Sequence, residues 1–185
     1  MKIRNTKDNF GLVTILIHWI MAIIIISLFI LGKYMMDLDY YDSNYHIAPW
    51  WHKSFGLLVA FLFVLRLLWR VTNSSVKPIS GSKNHEIKLA KIMQIMLYIL
   101  IFICCMSGVL ISTAEDAGVN FFDLFKLPAF ISKGKQQAEL AGDIHEYATL
   151  GLIILSALHL LAALKHHFLD KDKTLIRILT TRGKI

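Results

Sequence analysis

The chain has 185 residues, of which 56% are hydrophobic, and it carries a formal net charge of +7. A soluble domain rarely exceeds about half apolar residues, so the composition favours a single membrane-embedded domain over residues 1–185. The two cysteines, Cys104 and Cys105, are adjacent, and because sequence neighbours make poor disulfide partners they imply no disulfide framework.

Four apolar stretches follow one another along the chain, each near the roughly 20 residues that cross a hydrocarbon core as a helix. They cover about residues 11–36, 50–71, 87–113 and 145–168. Within lipid, backbone polar groups must be hydrogen-bonded inside the segment, which favours helices. The sequence therefore predicts an all-α membrane protein whose four transmembrane helices form an up-down-up-down bundle.

The charged residues are divided unevenly between the flanking segments. Residues 1–8, 66–91 and 165–185 hold fifteen Lys and Arg against four Asp and Glu, whereas the rest of the chain holds five against nine. By the positive-inside rule, both termini and the middle loop are predicted to be cytoplasmic. The positive charge is thus explained by topology, and no nucleic-acid partner is expected.

Histidines interrupt the apolar stretches, and ionisable residues inside a membrane usually serve a function. His145 and His159 are fourteen residues apart, which on a helix is about 21 Å of rise and returns the side chain to within about 40° of its first direction. Six residues separate His18 from the predicted inner start of the first helix, and six separate His159 from Lys165 at the inner end of the fourth. His18 is therefore predicted to lie level with His159, and His52 level with His145 near the outer surface.

Imidazoles that face each other across a helical bundle are the axial ligands of b-type haem. The two histidine pairs, each at its own depth in the membrane, predict two b haems. The predicted iron ligands are His18, His52, His145 and His159. Gly56 and Gly151 are predicted to leave room for the flat rings, with Gly108 on the third helix as a further candidate, because glycine lets the backbone approach closely. Two axial histidines leave the iron no open position, so the predicted task is electron transfer without substrate binding at iron.

Other interpretations of the histidines stay open from the residues alone. A single membrane histidine often makes an interhelical hydrogen bond, and one pair with Glu146 could form a zinc or copper site. A histidine-lined metal-ion transporter is the alternative from a different functional class. Zinc prefers four ligands around one point, whereas these histidines form two pairs about 20 Å apart along the helix.

Arg66 lies fourteen residues after His52, so it is predicted on the same helix face at the depth of the inner pair. It would form a salt bridge with a haem propionate or extend towards the inner lipid phosphates.

Several short motifs, in order and spacing, resemble the prokaryotic cytochrome b561 family over nearly the whole chain. They are L-I-H-W at 16–19, W-H-K-S-F-G at 51–56, R-L-L-W-R at 66–70, H-E-x12-H at 145–159, and H-H-F-L-D-K-D-K-T-L-I-R at 166–177. The resemblance implies a four-helix cytochrome with two b haems in the bacterial inner membrane. Two departures are visible: Gln94 stands where the family usually has a histidine four residues before a tyrosine, and Cys105 stands where a proline is often found.

The resemblance also implies a quinone-linked oxidoreductase that exchanges electrons with ubiquinone or menaquinone. Its donor would be a small one-electron donor or a soluble redox protein at the outer face. Some family members are thought to oxidise superoxide there, but the predicted outer loops are acidic, which would repel an anion. The haem b subunits of membrane hydrogenases share this arrangement of helices and histidines. The alternative is therefore that the chain is a haem anchor subunit of a membrane dehydrogenase or hydrogenase.

Overall fold

A computed structural model describes residues 2–181 of the chain. The described elements, in chain order, are α1 (Leu12–Met36), α2 (Ile47–Thr72), α3 (Asn84–Ser112), β1 (Val119–Phe121), β2 (Phe125–Leu127), α4 (Lys135–Phe168) and α5 (Thr174–Leu179).

Within residues 2–181, four helices (α1 to α4) are long and apolar enough to cross a membrane. The helices bury little of this apolar surface against one another. In the most apolar 18-residue stretch of each helix, only 6% to 11% of the residues are buried. Large side chains such as Ile30, Phe61 and Phe102 point outwards, which is favourable where lipid covers them. The predicted fold class, an all-α membrane bundle of four helices, is confirmed.

The helices form a closed ring in sequence order. α1 packs against α2, α2 against α3, α3 against α4, and α4 contacts α1. Met21, Val59 and Phe63 form the buried centre, one residue from α1 and two from α2, with partly buried side chains of α3 packed against them. This packing fixes how the helices are rotated, and therefore which side chains face inwards.

The end of the bundle at which the described part of the chain begins and ends, at Lys2 and Thr181, is called the terminal end. Asn5 ties it together: its side-chain oxygen accepts hydrogen bonds from Gly11 N and Thr14 Oγ1, and its backbone N–H donates to Asn73 at the end of α2. The indole of Trp19 donates to the carbonyl of Ile178, which holds α5 against α1.

The opposite end, called the hairpin end, carries the β1–β2 hairpin. Asn120 pairs with Lys126 across its two strands. Its turn places Phe122 and Asp123 at positive φ (47° and 57°), the backbone of a type I′ turn. Contacts with α2 support this turn, because Phe122 N donates to the fully buried Ser54 Oγ and Trp50 Nε1 donates to Asp123.

α4 begins at Lys135, ten residues before the predicted start at His145. Its first turns, KQQAELAGD, are too polar to be recognised as membrane-spanning but contain good helix formers. Gln137 donates to the carbonyl of Leu110 near the end of α3, and Ala141 is buried. The added turns therefore extend the α3–α4 contact beyond the apolar segment.

Candidate functional site

His18 of α1 and His159 of α4 face each other near the terminal end, and they are called the terminal pair. Their ring centroids are 6.5 Å apart and the ring planes are inclined by 80°. The structure thus brings together two residues that are 141 positions apart in the chain, as the depth argument predicted.

His52 of α2 and His145 of α4 form an equivalent arrangement near the hairpin end, called the hairpin pair. Their ring centroids are 6.2 Å apart and the planes are inclined by 73°. α4 therefore contributes one histidine to each level, while α1 and α2 contribute one each.

The ring spacing suits a metal ion held between two imidazoles. With each ligating nitrogen about 2 Å from the metal, the two ring centroids lie about 6 Å apart. Both pairs have this spacing. Direct hydrogen bonding between the rings would instead bring them closer together, so the spacing fits a metal ion between the two rings, which the iron of a haem held by two histidines would satisfy.

The tautomer of His145 can be deduced from its neighbour Ser107 on α3. Ser107 Oγ lies 2.7 Å from the carbonyl of Ile103, to which it donates its single hydrogen, and 3.0 Å from His145 Nδ1. The hydroxyl therefore accepts the hydrogen bond from Nδ1–H, which leaves the lone pair of Nε2 free. A histidine that binds a metal ion through Nε2 needs this tautomer.

Two glycines lie directly against the hairpin pair. A Cβ added to Gly32 of α1 would stand 3.2 Å from His52 Cε1, and one added to Gly108 of α3 would stand 3.2 Å from His145 Cε1. These distances are tighter than ordinary carbon contacts, so both rings occupy space that only glycine leaves open.

The other two glycines predicted to leave room for a ring, Gly56 and Gly151, differ in their surroundings. A Cβ added to Gly56 would meet nothing within 4 Å, so open space lies beside α2 one turn after His52. A Cβ added to Gly151 would lie 3.7 Å from the side chain of Leu100, an ordinary packing distance between α4 and α3. Gly56 therefore faces a gap that a flat cofactor could fill, whereas Gly151 faces a packed helix.

Arg66 lies beside the terminal pair. Its Nη1 and Nη2 are each 3.2 Å from His18 Nδ1, and its Nε donates to Tyr98 Oη at 3.1 Å. Arg70, one turn further, instead contacts Gln94 at 3.4 Å. The glutamine that departs from the family pattern is therefore the hydrogen-bond acceptor of Arg70.

A second group of charged side chains lies where α4 ends. Lys165 Nζ is 2.9 Å from Glu86 and 2.7 Å from Asp170, and His166 Nδ1 is 2.8 Å from the same Asp170 carboxylate. The hydrogen bond from Lys165 lowers the pKa of Asp170. Glu86, His166 and Asp170 are close enough to ligate one ion, but both carboxylates already pair with the ammonium group of Lys165.

Comparison with known proteins decides the assignment. The family described as prokaryotic cytochrome b561 matches residues 9–181. The chain belongs to this family. Cytochrome b561 homolog 2 of Escherichia coli (strain K12) is 39% identical over 179 residues, which is 97% of this chain and 95% of that protein. Cytochrome b561 homolog 1 of the same organism is 26% identical over 176 residues, 95% of this chain and 99% of that protein.

Family membership confirms the resemblance and identifies the chain as a membrane haem protein, which implies b-type haem and transmembrane electron transfer. Within this site, sequence reasoning missed Gly32 and Ser107. Gly32 lies on α1 but contacts His52 of α2, and Ser107 lies on α3 but contacts His145 of α4. Their only signal in the sequence is a small residue at the depth of the hairpin pair.

Proposed function

We propose that the chain holds two b haems, one between His18 and His159 and one between His52 and His145, and that it carries electrons between the two faces of the membrane. The observation that supports this most directly is the spacing of the imidazole rings, 6.5 Å and 6.2 Å at two levels. A haem held by each pair of imidazoles would supply one-electron oxidation and reduction.

The buried centre between the two levels is apolar. Met21, Val59 and Phe63 are 2%, 4% and 7% exposed, and none of the three side chains can carry a charge or a proton. A continuous column of water or of titratable side chains would let ions pass. An apolar centre of this kind is compatible with electron transfer and opposes ion transport.

Arg66 must change its partner when His18 binds iron. Arginine only donates hydrogen bonds, so at 3.2 Å from Nδ1 it selects the tautomer of His18 in which Nε2 carries the proton. Iron coordination through Nε2 requires the opposite tautomer. We therefore propose that Arg66 turns from His18 to a haem propionate, which it can bind through two parallel hydrogen bonds.

The terminal end is proposed to face the cytoplasm, since it combines the segments that hold fifteen of the twenty Lys and Arg residues. Ubiquinone or menaquinone in the membrane is the proposed exchange partner. The one-electron donor would approach the hairpin end, where superoxide and a soluble redox protein are the candidates that the experiments should distinguish. These assignments make the chain a quinone-linked oxidoreductase of the bacterial inner membrane.

The alternatives make different predictions. A haem anchor subunit would copurify in a fixed ratio with a soluble dehydrogenase or hydrogenase. A metal-ion transporter would need a continuous series of charged or imidazole ligands between the levels, where Met21, Val59 and Phe63 form the buried centre, and family membership also favours haem.

Transmembrane electron transfer can be tested in sealed vesicles that contain the purified protein and trapped ferricyanide. Dithionite added outside is expected to reduce the trapped ferricyanide through the wild-type protein and through the control His85→Ala, whose exposed histidine lies outside both pairs. His52→Ala, which removes a ligand at one level, is expected to reduce ferricyanide at the rate of protein-free vesicles. Wild-type vesicles no faster than protein-free ones would contradict the proposal.

A further inference from the structure

A pocket of about 410 Å³ lies at the hairpin end, between the start of α2 and the β1–β2 hairpin. Its volume falls within the range of about 300–1,000 Å³ typical of small-molecule sites. It is more than ten times the space of about 30 Å³ that one water molecule takes in the liquid. The pocket is therefore much larger than a diatomic donor such as superoxide requires.

One face of α2 lines one wall of this pocket. His46, Pro49, Trp50 and Lys53 all contribute to it. They are spaced by three, four and seven residues, so they share one side of the helix start. This wall presents an indole and a proline ring next to a lysine and a histidine.

The hairpin supplies the opposite wall. Asn120 and Lys126 line the pocket and are directly paired across the two strands, so their side chains point to the same side of the hairpin. An amide and an ammonium group therefore face the aromatic wall of α2. None of the nine lining residues is acidic.

Gly118 leaves room for the side chain of Lys126. A Cβ at residue 118 would lie 2.8 Å from Cγ and Cε of Lys126 and 2.4 Å from the carbonyl of Leu127, so the lysine stem lies across the glycine. The hairpin is in turn held on α2 by Ser54 and Trp50. These hydrogen bonds hold the two walls of the pocket in place relative to each other, which reduces the entropy lost on binding.

We propose that this pocket binds a small organic anion with a planar apolar part, the anionic group contacting Lys53 and Lys126 and the planar part lying against Trp50. Two ammonium groups and an amide recognise an anion through charge-assisted hydrogen bonds. The aromatic wall favours a flat body over an inorganic ion. The proposal concerns binding alone and does not depend on which residues hold haem.

Binding can be measured by titration calorimetry on the haem-loaded protein in lipid nanodiscs, with 2-naphthoate as the anionic probe and 2-naphthamide as its neutral counterpart. Wild type is expected to bind 2-naphthoate saturably and more tightly than 2-naphthamide. The double variant Lys53→Gln, Lys126→Gln is expected to bind 2-naphthoate at least about tenfold more weakly, the effect of losing a charge-assisted hydrogen bond.

The matched control is Lys133→Gln, Lys135→Gln, which removes two lysines from the same end of the bundle but outside the pocket. It is expected to leave the affinity within about twofold, the scatter expected for surface substitutions. Gly118→Ala keeps all charges but displaces both the stem of Lys126 and the backbone of Leu127 in β2, so it should also weaken binding of 2-naphthoate. Equal losses in both double variants, equal affinity for the two probes, or no saturable binding by the wild type would overturn the proposal.

Discussion

Ser107 Oγ accepts a hydrogen bond from His145 Nδ1 at 3.0 Å, because the serine has already donated its hydrogen to the carbonyl of Ile103. This contact keeps the lone pair of His145 Nε2 directed away from α3. The hydroxyl group of Ser107 on α3 thus holds His145 of α4 in the tautomer that leaves Nε2 free to bind a metal ion.

Ser107→Ala should weaken haem binding at the hairpin level, because the ring of His145 loses the contact that fixes its tautomer and orientation. Loss of such a supporting hydrogen bond typically lowers metal affinity by about 10–100-fold. Haem dissociation to apomyoglobin measures the effect. Ser112→Ala, five residues further along α3, is the control, and equal dissociation rates for the two variants would refute the role of Ser107.

Gly32→Ala and Gly108→Ala should each shift the low-spin electron paramagnetic resonance signal of one haem. The added methyl group would stand 3.2 Å from the ring of His52 or of His145, so the ring must move by a few tenths of an ångström. Thermal stability should change little, because alanine is favoured over glycine within a helix by about 1 kcal/mol, which offsets the tighter packing. Gly151→Ala, whose added Cβ would meet Leu100 at an ordinary 3.7 Å, should leave both signals unchanged.

Gly56→Leu tests whether the open space beside α2 belongs to a haem. The larger side chain would fill that space, so we expect the haem content to fall to about one per chain while the apoprotein keeps its helical circular dichroism, since leucine is a better helix former than glycine. Full retention of both haems in Gly56→Leu would assign the space to something else.

Arg66→Gln should lower the reduction potential of the terminal-level haem, because a positive charge that favours the extra electron is removed. A decrease of about 60 mV corresponds to a tenfold change in the equilibrium of a one-electron couple, and a shift of this order is expected in a redox titration. Arg70→Gln is the matched control, since Arg70 contacts Gln94 rather than a histidine. A larger shift in Arg70→Gln than in Arg66→Gln would contradict the proposed role.

Much of the fold follows from the sequence because lipid imposes a simple rule. An apolar run of about 20 residues must form a helix, and helical geometry then places His145 and His159 on one face at two levels. The depth argument needed only the predicted helix ends near Leu12 and Lys165, and α1 does begin at Leu12.

Features outside the apolar runs were harder to predict. The hairpin turn carries Phe122 and Asp123 rather than the Asn-Gly pair that usually indicates a type I′ turn. Contacts with Ser54 and Trp50 stabilise it instead, and such contacts between distant residues have no local signal. The same reason hides Gly32 from sequence reasoning, because its neighbour His52 belongs to another helix.

The most direct test of the central claim is the number of b haems per chain in double histidine variants, measured as the pyridine haemochrome against total protein. If the pairs are correct, the double variant that combines His18→Ala with His159→Ala loses both ligands of one level and keeps one haem. The double variant that combines His18→Ala with His145→Ala loses one ligand at each level and should keep no haem. Equal haem contents in the two double variants would show that imidazoles at two levels do not hold two separate haems.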